Sequence, residues 1–257
     1  MYKFIFFVFF LGIFGMKAIA KENYPTVSEK SLKGIARTSY DSPNPSKEQL
    51  ERRSKSNERI SKMGLHILET LPVTEDPSKI NSRTASDISK RAIAVAIAAV
   101  KGEGLAHDKV IQIVNQWDIS SYFSPEEKIF INNPKVSRED RLKFSWRYEG
   151  LDVLLWALGY KDELPPPNQI CDVKTDVSII VNNQNGSLAK NSKLRSMNEI
   201  MDMADYYYRL HWVAVELRIS GKKSSLIDGE IIMERHYALN WLIKYMGQKW
   251  DDIQTDT

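Results

Sequence analysis

Three stretches in the second half of the chain carry charged and histidine side chains where an apolar helix would carry hydrocarbon. They are Phe144-Ser145-Trp146-Arg147-Tyr148-Glu149, Tyr208-Arg209-Leu210-His211-Trp212 and Glu234-Arg235-His236-Tyr237-Ala238-Leu239-Asn240-Trp241. An ion buried without a partner costs roughly several kcal/mol, so these groups should meet one another between helices. Two roles fit the pattern. Glu149 and Glu234, with His236, could supply acid–base catalysis if their surroundings push their pKa values apart. Arg147, Arg209 and Arg235, with His211, could hold a carboxylate or phosphate in a ligand pocket. The bland alternative is a satisfied network of buried ion pairs that ties three helices together, and such networks perturb pKa values just as active sites do. An open cleft beside a carboxylate would favour chemistry; mutual satisfaction would favour bracing.

Helical spacing refines the picture. On one continuous helix Arg147 and Glu149 would point on the order of 200° apart and could not both face the same neighbour. Glu149 shares a side with Asp152. Glu234 lies beside Tyr237 and Ala238, and Arg235 beside Leu239, on the face expected to turn inward. His236 lies beside Asn240.

Other chemistries have little to build on. The four histidines are His66, His107, His211 and His236. Zinc takes about four ligands, and no ligand spacing is diagnostic here, so no metal and no cofactor is expected. Cys171 is the single cysteine, which rules out an intramolecular disulfide; its apolar neighbours Ile170 and Val173 favour a buried thiol over a reactive one. A Gly-rich phosphate loop, Cys-x-x-Cys, His-Glu-x-x-His and a Gly-x-Ser-x-Gly elbow are all absent from the sequence. The tryptophans and the Tyr206-Tyr207-Tyr208 run are read as core.

The elements that must position these groups are helices. Ser46 to Met63 reads as a polar helix. Leu65 to Leu71 reads as a short strand or extended segment, and Pro72 to Arg83 as a loop. Thr84 with Asp87 starts an Ala-rich helix closed by Gly102. His107 to Trp117 is a second helix, and Ser124-Pro125-Glu126-Glu127 opens a short third. Ser137 with Asp140 starts a helix to Leu158, stopped by Gly159 and apolar nearly all round, hence central. Pro165-Pro166-Pro167 is a rigid connector, and Asn182 to Ser192 an exposed loop. Ser196 with Glu199 opens a helix to about Ser220, and a last helix spans about Gly229 to Met246, ended by Gly247. The fold class is therefore mainly α, a compact multi-helix domain over residues 47–257.

Residues 1–20 have the layout of a secretory signal: Lys3, an apolar stretch from Phe4 to Phe14, then Ala18-Ile19-Ala20. The apolar stretch is shorter than the roughly 20 residues of a spanning helix, so no stable membrane span is expected after cleavage. Residues 21–46 form a polar leader. The expected compartment is periplasmic or extracellular. The net charge is +3, and Lys3 and Lys17 leave with the signal, so the mature chain is near neutral. That balance argues against nucleic acid and leaves a small ligand or a protein as partner.

The same stretches carry a resemblance. With Leu154-Leu155-Trp156-Ala157-Leu158-Gly159, Leu164-Pro165-Pro166-Pro167, Cys171-Asp172 and the closing Trp250-Asp251-Asp252 and Thr255-Asp256-Thr257, they resemble the DUF4272 family from about Arg52 to Thr257. The resemblance implies a domain without an established activity, so no catalytic residue is carried over. Family members lacking the leader would be expected in the cytoplasm.

Overall fold

The computed structural model describes residues 44–80 and 83–257. The signal read at 1–20 and most of the leader read at 21–46 lie outside the described residues. Within them the elements are helices, and no strand occurs. The helices are α1 (Lys47–Lys62), α2 (Ala85–Glu103), α3 (His107–Trp117), α4 (Pro125–Asn132), α5 (Arg138–Trp146), α6 (Tyr148–Ala157), α7 (Val173–Asn182), α8 (Ser187–Lys190), α9 (Met197–Ile219) and α10 (Gly229–Leu242). Reciprocal capping boxes at Ser46, Thr84, Ser124 and Ser196 fix four of the starts.

The packing runs across the domain in a chain: α1 on α9, α9 on α10, α10 on α6, α6 on α2, and α2 on α5. α6 is buried at every position from Tyr148 to Ala157, as a helix apolar nearly all round must be. α2 is likewise buried along its alanines, Ala92, Ala94, Ala96, Ala98 and Ala99. Lys101, on its last turn, is buried and donates to the carbonyls of Phe130, Ile131 and Asn133 at 2.7–2.8 Å. An ammonium thus closes the C-terminus of α4, where carbonyls are left over and the helix dipole is negative.

Five segments differ from the sequence reading. Leu65 to Leu71 forms neither strand nor helix, but an irregular connection with a turn at its end. α2 does not stop at Gly102. It continues to Glu103 and is capped by Gly104 at φ 116°. Gly102 serves close approach instead: a Cβ there would lie 2.7 Å from the Arg141 carbonyl oxygen and 2.8 Å from the Ser145 amide nitrogen, both backbone atoms of α5. The long helix from Ser137 is two helices, interrupted at Arg147, whose amide bonds back to Phe144 and Ser145 rather than one full turn away. The last helix ends at Leu242. Lys244 and Met246 take left-handed conformations, and the tail folds back so that Trp250 stacks edge-on against Tyr237 and Trp241. The Asn182–Ser192 segment contains the single turn α8, which buries Leu188.

Candidate functional site

The structure brings together four of the seven singled-out residues at the contact of α6 with α10. Arg147 Nη1 lies 3.0 Å from Glu234 Oε2. Its guanidinium sits over the Tyr237 ring at 4.0 Å. Arg235 Nη2 lies 2.8 Å from Glu149 Oε2, and its Nε donates to the same oxygen at 2.9 Å. Arg147 and Glu149 both face inward because the break at Arg147 resets the helix phase, and because α6 has partners on more than one side. All four side chains are buried.

Arg235 is fully committed. Beyond Glu149 it donates to the Pro165 carbonyl at 2.6 Å, the Tyr207 hydroxyl at 2.8 Å and the Gln169 carbonyl at 2.9 Å. Those partners occupy every N–H of the guanidinium. Glu149 is committed on its other oxygen, which accepts the Cys171 amide at 2.8 Å. The pair therefore clamps both ends of the segment from Pro165 to Cys171. Burial pushes the Arg147 pKa down, but the Glu234 charge, the Tyr237 hydroxyl and the hydrogen bond to Glu234 together outweigh it and the group stays above its ordinary range.

The remaining three candidates lie apart from this pair. Arg209 grips Asp205, one turn earlier on α9, with Nε at 2.8 Å and Nη2 at 3.0 Å, and donates to the Pro72 carbonyl at 2.9 Å. His211 and His236 meet across α9 and α10, Nδ1 to Nδ1 at 3.0 Å. In that contact one ring must donate and the other accept, so at least one ring is neutral. Glu149, Glu234 and His236 thus do not converge on open space. Among the described residues no group of three or more His, Cys, Asp or Glu side chains gathers as a metal site.

A second buried polar cluster escaped the sequence reading. Lys161 bridges Asp152 of α6 and Asp176 of α7, lying 2.7 Å from Asp176, and both carboxylates are fully buried. One ammonium faces two carboxylates. Burial, and then the neighbouring Asp152 charge, push Asp176 up from 3.8 to about 7, against the pull of Lys161. Cys171 is buried, and burial followed by the Glu149 charge pushes its thiol well up, which suits an inert side chain.

Open space lies elsewhere, on the side of α1. A cavity of about 410 Å³ is walled by α1, α9 and the segment 162–167. Arg52, Lys55 and Arg59 line it from α1, Met203, Tyr206 and Tyr207 from α9, and Leu164 and Pro165 from the connector. Arg52 is buried and bonds Asp202 at 2.8 Å, while its Nη1 has no hydrogen-bond partner among the described residues. Sequence reasoning passed over Arg52 because α1 is so polar. Its signal was the stripe Gln49, Arg52, Ser56, Ile60, which repeats at helical spacing and is the buried face. The clamp and the cavity share a wall, since Arg235 holds Pro165 and Tyr207, both of which line it.

Two outcomes test these assignments. Glu149→Gln or Glu234→Gln strands a buried guanidinium, at a cost of about 3–5 kcal/mol. The thermal midpoint should drop on the order of 10 °C; an unchanged midpoint would show that the carboxylates do not brace the fold. A carboxyl raised by burial favours the folded state while protonated, so this contribution is full below the ordinary carboxylate range and is lost as pH climbs towards about 7. Urea melts should accordingly show Asp176→Asn gaining on the parent protein from pH 5 to pH 8. A difference independent of pH would remove the raised Asp176.

No curated protein and no solved structure matches the chain. The family model described as a domain of unknown function (DUF4272) matches residues 52–253, most of the chain and nearly all of the helices described above. The chain belongs to the DUF4272 family.

Proposed function

We propose that this domain is a binding module for a small ligand, held in the cavity between α1, α9 and the 162–167 segment. The observation that carries the reading is the division of labour among the buried charges. The Glu149–Arg235 and Arg147–Glu234 pairs satisfy one another inside the domain, and Arg235 spends its remaining donors on the connector that walls the cavity. A hydrolase built on Glu149 or Glu234 with His236 needs a carboxylate facing space that a substrate can enter; both carboxylates are buried against arginines. The cavity, at about 410 Å³, falls within the range of small-molecule sites, roughly 300–1,000 Å³.

The setting of that activity rests on the leader. Lys3, the Phe4–Phe14 stretch and Ala18-Ile19-Ala20 support export and cleavage after Ala20. No helix among the described residues is long and apolar enough to cross a membrane.

Purified protein incubated with a small-molecule extract, desalted and denatured should release a bound compound detectable by mass spectrometry. Met203→Trp, which fills the cavity from α9, should release none while keeping its helical circular dichroism. Equal retention by both proteins, or none by the parent, would end the reading. For the compartment, N-terminal sequencing of the protein made in a secretion-competent bacterium should begin at Lys21; an intact Met1 in the soluble cytosolic fraction would contradict export.

A further inference from the structure

We infer that the cavity takes a zwitterion: a small molecule carrying one carboxylate and one ammonium, as in a free amino acid or a dipeptide. The inference rests on the binding reading above and adds the chemistry of the ligand.

The charges that line the cavity fall into two sets. Arg52 is paired with Asp202 and Glu48 through Nε and Nη2, leaving only Nη1 over, and Arg195 is paired with Glu199. Lys55 and Arg59 are not. They stand one turn apart on α1, line the cavity and enter no ion pair among the described residues; Arg59 only lies over the Tyr206 ring at 3.8 Å. Asp162 and Glu163, on the connector, also line the cavity, and their carboxylates likewise enter no ion pair among the described residues. Two open cations thus sit on one element, and two open anions on another. They do not pair with each other across the space.

That arrangement discriminates by charge. A ligand that is only anionic is drawn to Lys55 and Arg59 but brought beside Asp162 and Glu163. A ligand that is only cationic meets the reverse. A molecule carrying both signs satisfies both sets, and opposed charges of this kind act chiefly through specificity. Apolar side chains join the charges in the lining: Leu164, Pro165 and Pro167 from the connector and Met203 from α9, beside the rings of Trp156, Tyr206 and Tyr207. A small aliphatic or thioether side chain on the ligand has apolar contacts to make there.

The connector's backbone is held in place. Arg195 donates to the carbonyls of Lys161 at 2.9 Å and Asp162 at 2.6 Å. Lys161 is anchored on Asp152 and Asp176, and Pro165 on Arg235. Asp162 and Glu163 are therefore presented from a backbone held on both sides, which preorganises the anionic half of the site.

Equilibrium dialysis of the full chain tests this. The probes are an equimolar mixture of the aliphatic and sulfur-containing L-amino acids and a matching mixture of their dipeptides, each beside its N-acetylated and C-amidated forms. The expected result is retention of a zwitterion from one of the two mixtures, which tells free amino acid from dipeptide, with a loss of about tenfold or more when either charge is blocked. Lys55→Glu with Arg59→Glu should abolish retention, and so should Asp162→Lys with Glu163→Lys. The fourfold exchange should restore it, because the ligand can bind in the reversed sense. All four side chains are solvent-exposed, so the variants keep the parent's fold, checked by their thermal midpoints. If the parent protein retains a compound from the extract but neither mixture, or binds blocked forms as well as zwitterions, the charge assignment fails while the binding reading stands. If it retains nothing from either source, both fail.

Discussion

The arrangement depends on one guanidinium. Arg235 enters the domain from α10 with five N–H groups to satisfy and no access to water. Left alone it would be costly enough to unfold a marginally stable domain. Its answer is to take Glu149 from α6, Tyr207 from α9 and the carbonyls of Pro165 and Gln169 from the connector. Three helices and a loop are thereby tied to one planar group. The connector needs this as much as the arginine does. Pro165, Pro166 and Pro167 have no N–H and cannot form the ladders that keep a segment in place. Beyond one local turn, in which the Gln169 amide donates to the Pro166 carbonyl, the segment is bonded from outside, and a planar fork reaches several carbonyls at once where a lysine would reach as a point charge.

That economy explains why the polar residues cluster without forming an open site. Each carboxylate on the α6–α10 contact has an arginine, and the surplus donors go to backbone. The cluster then resembles an active site in composition and pKa perturbation, while its geometry is that of a truss. The cavity inherits rigidity from it. Pro165 and Tyr207 are held from behind by Arg235, so the far side of the wall is free to be shaped by Leu164, Asp162 and Glu163.

Much of this was legible in the sequence, and the parts that were not share a cause. Helix starts were readable because a capping box is a local chemical event: Ser46, Thr84, Ser124 and Ser196 each bond a backbone amide three residues on, whatever the rest of the chain does. Charged residues amid apolar helical positions announced burial, and Arg147, Glu149, Glu234 and Arg235 do come together. Their partners could not be read, because pairing depends on how α6 crosses α10. The spacing argument that separated Arg147 from Glu149 assumed an unbroken helix, and the interruption at Arg147 has no proline or glycine to signal it. Gly102 looks like a stop for the same reason. A glycine looks alike in sequence whether it ends a helix or admits a neighbouring backbone, and only the approach of α5 decides. Arg209 shows the limit most plainly. Its sequence context matches that of Arg235, yet it bonds one turn back on its own helix and to Pro72.

The polar face of α1 follows from the same physics. A helix with so few apolar residues would be marginal alone. It docks through bonds that need no hydrocarbon: Gln49 donates to the Thr74 carbonyl at 2.6 Å, and Arg52 to Asp202 at 2.8 Å. Only Ile60 adds a fully buried apolar contact. Docking by hydrogen bonds sets α1 against α9 without filling the space between α1 and the connector, since such contacts fix positions at points and do not drive close packing over an area. A hydrophobic stripe in the same place would have been pulled down onto Pro165 and Leu164. The cavity exists because the helix that walls it is held by polar contacts, and the residues that make α1 look unpromising as a core element are the ones that keep the space beside it open.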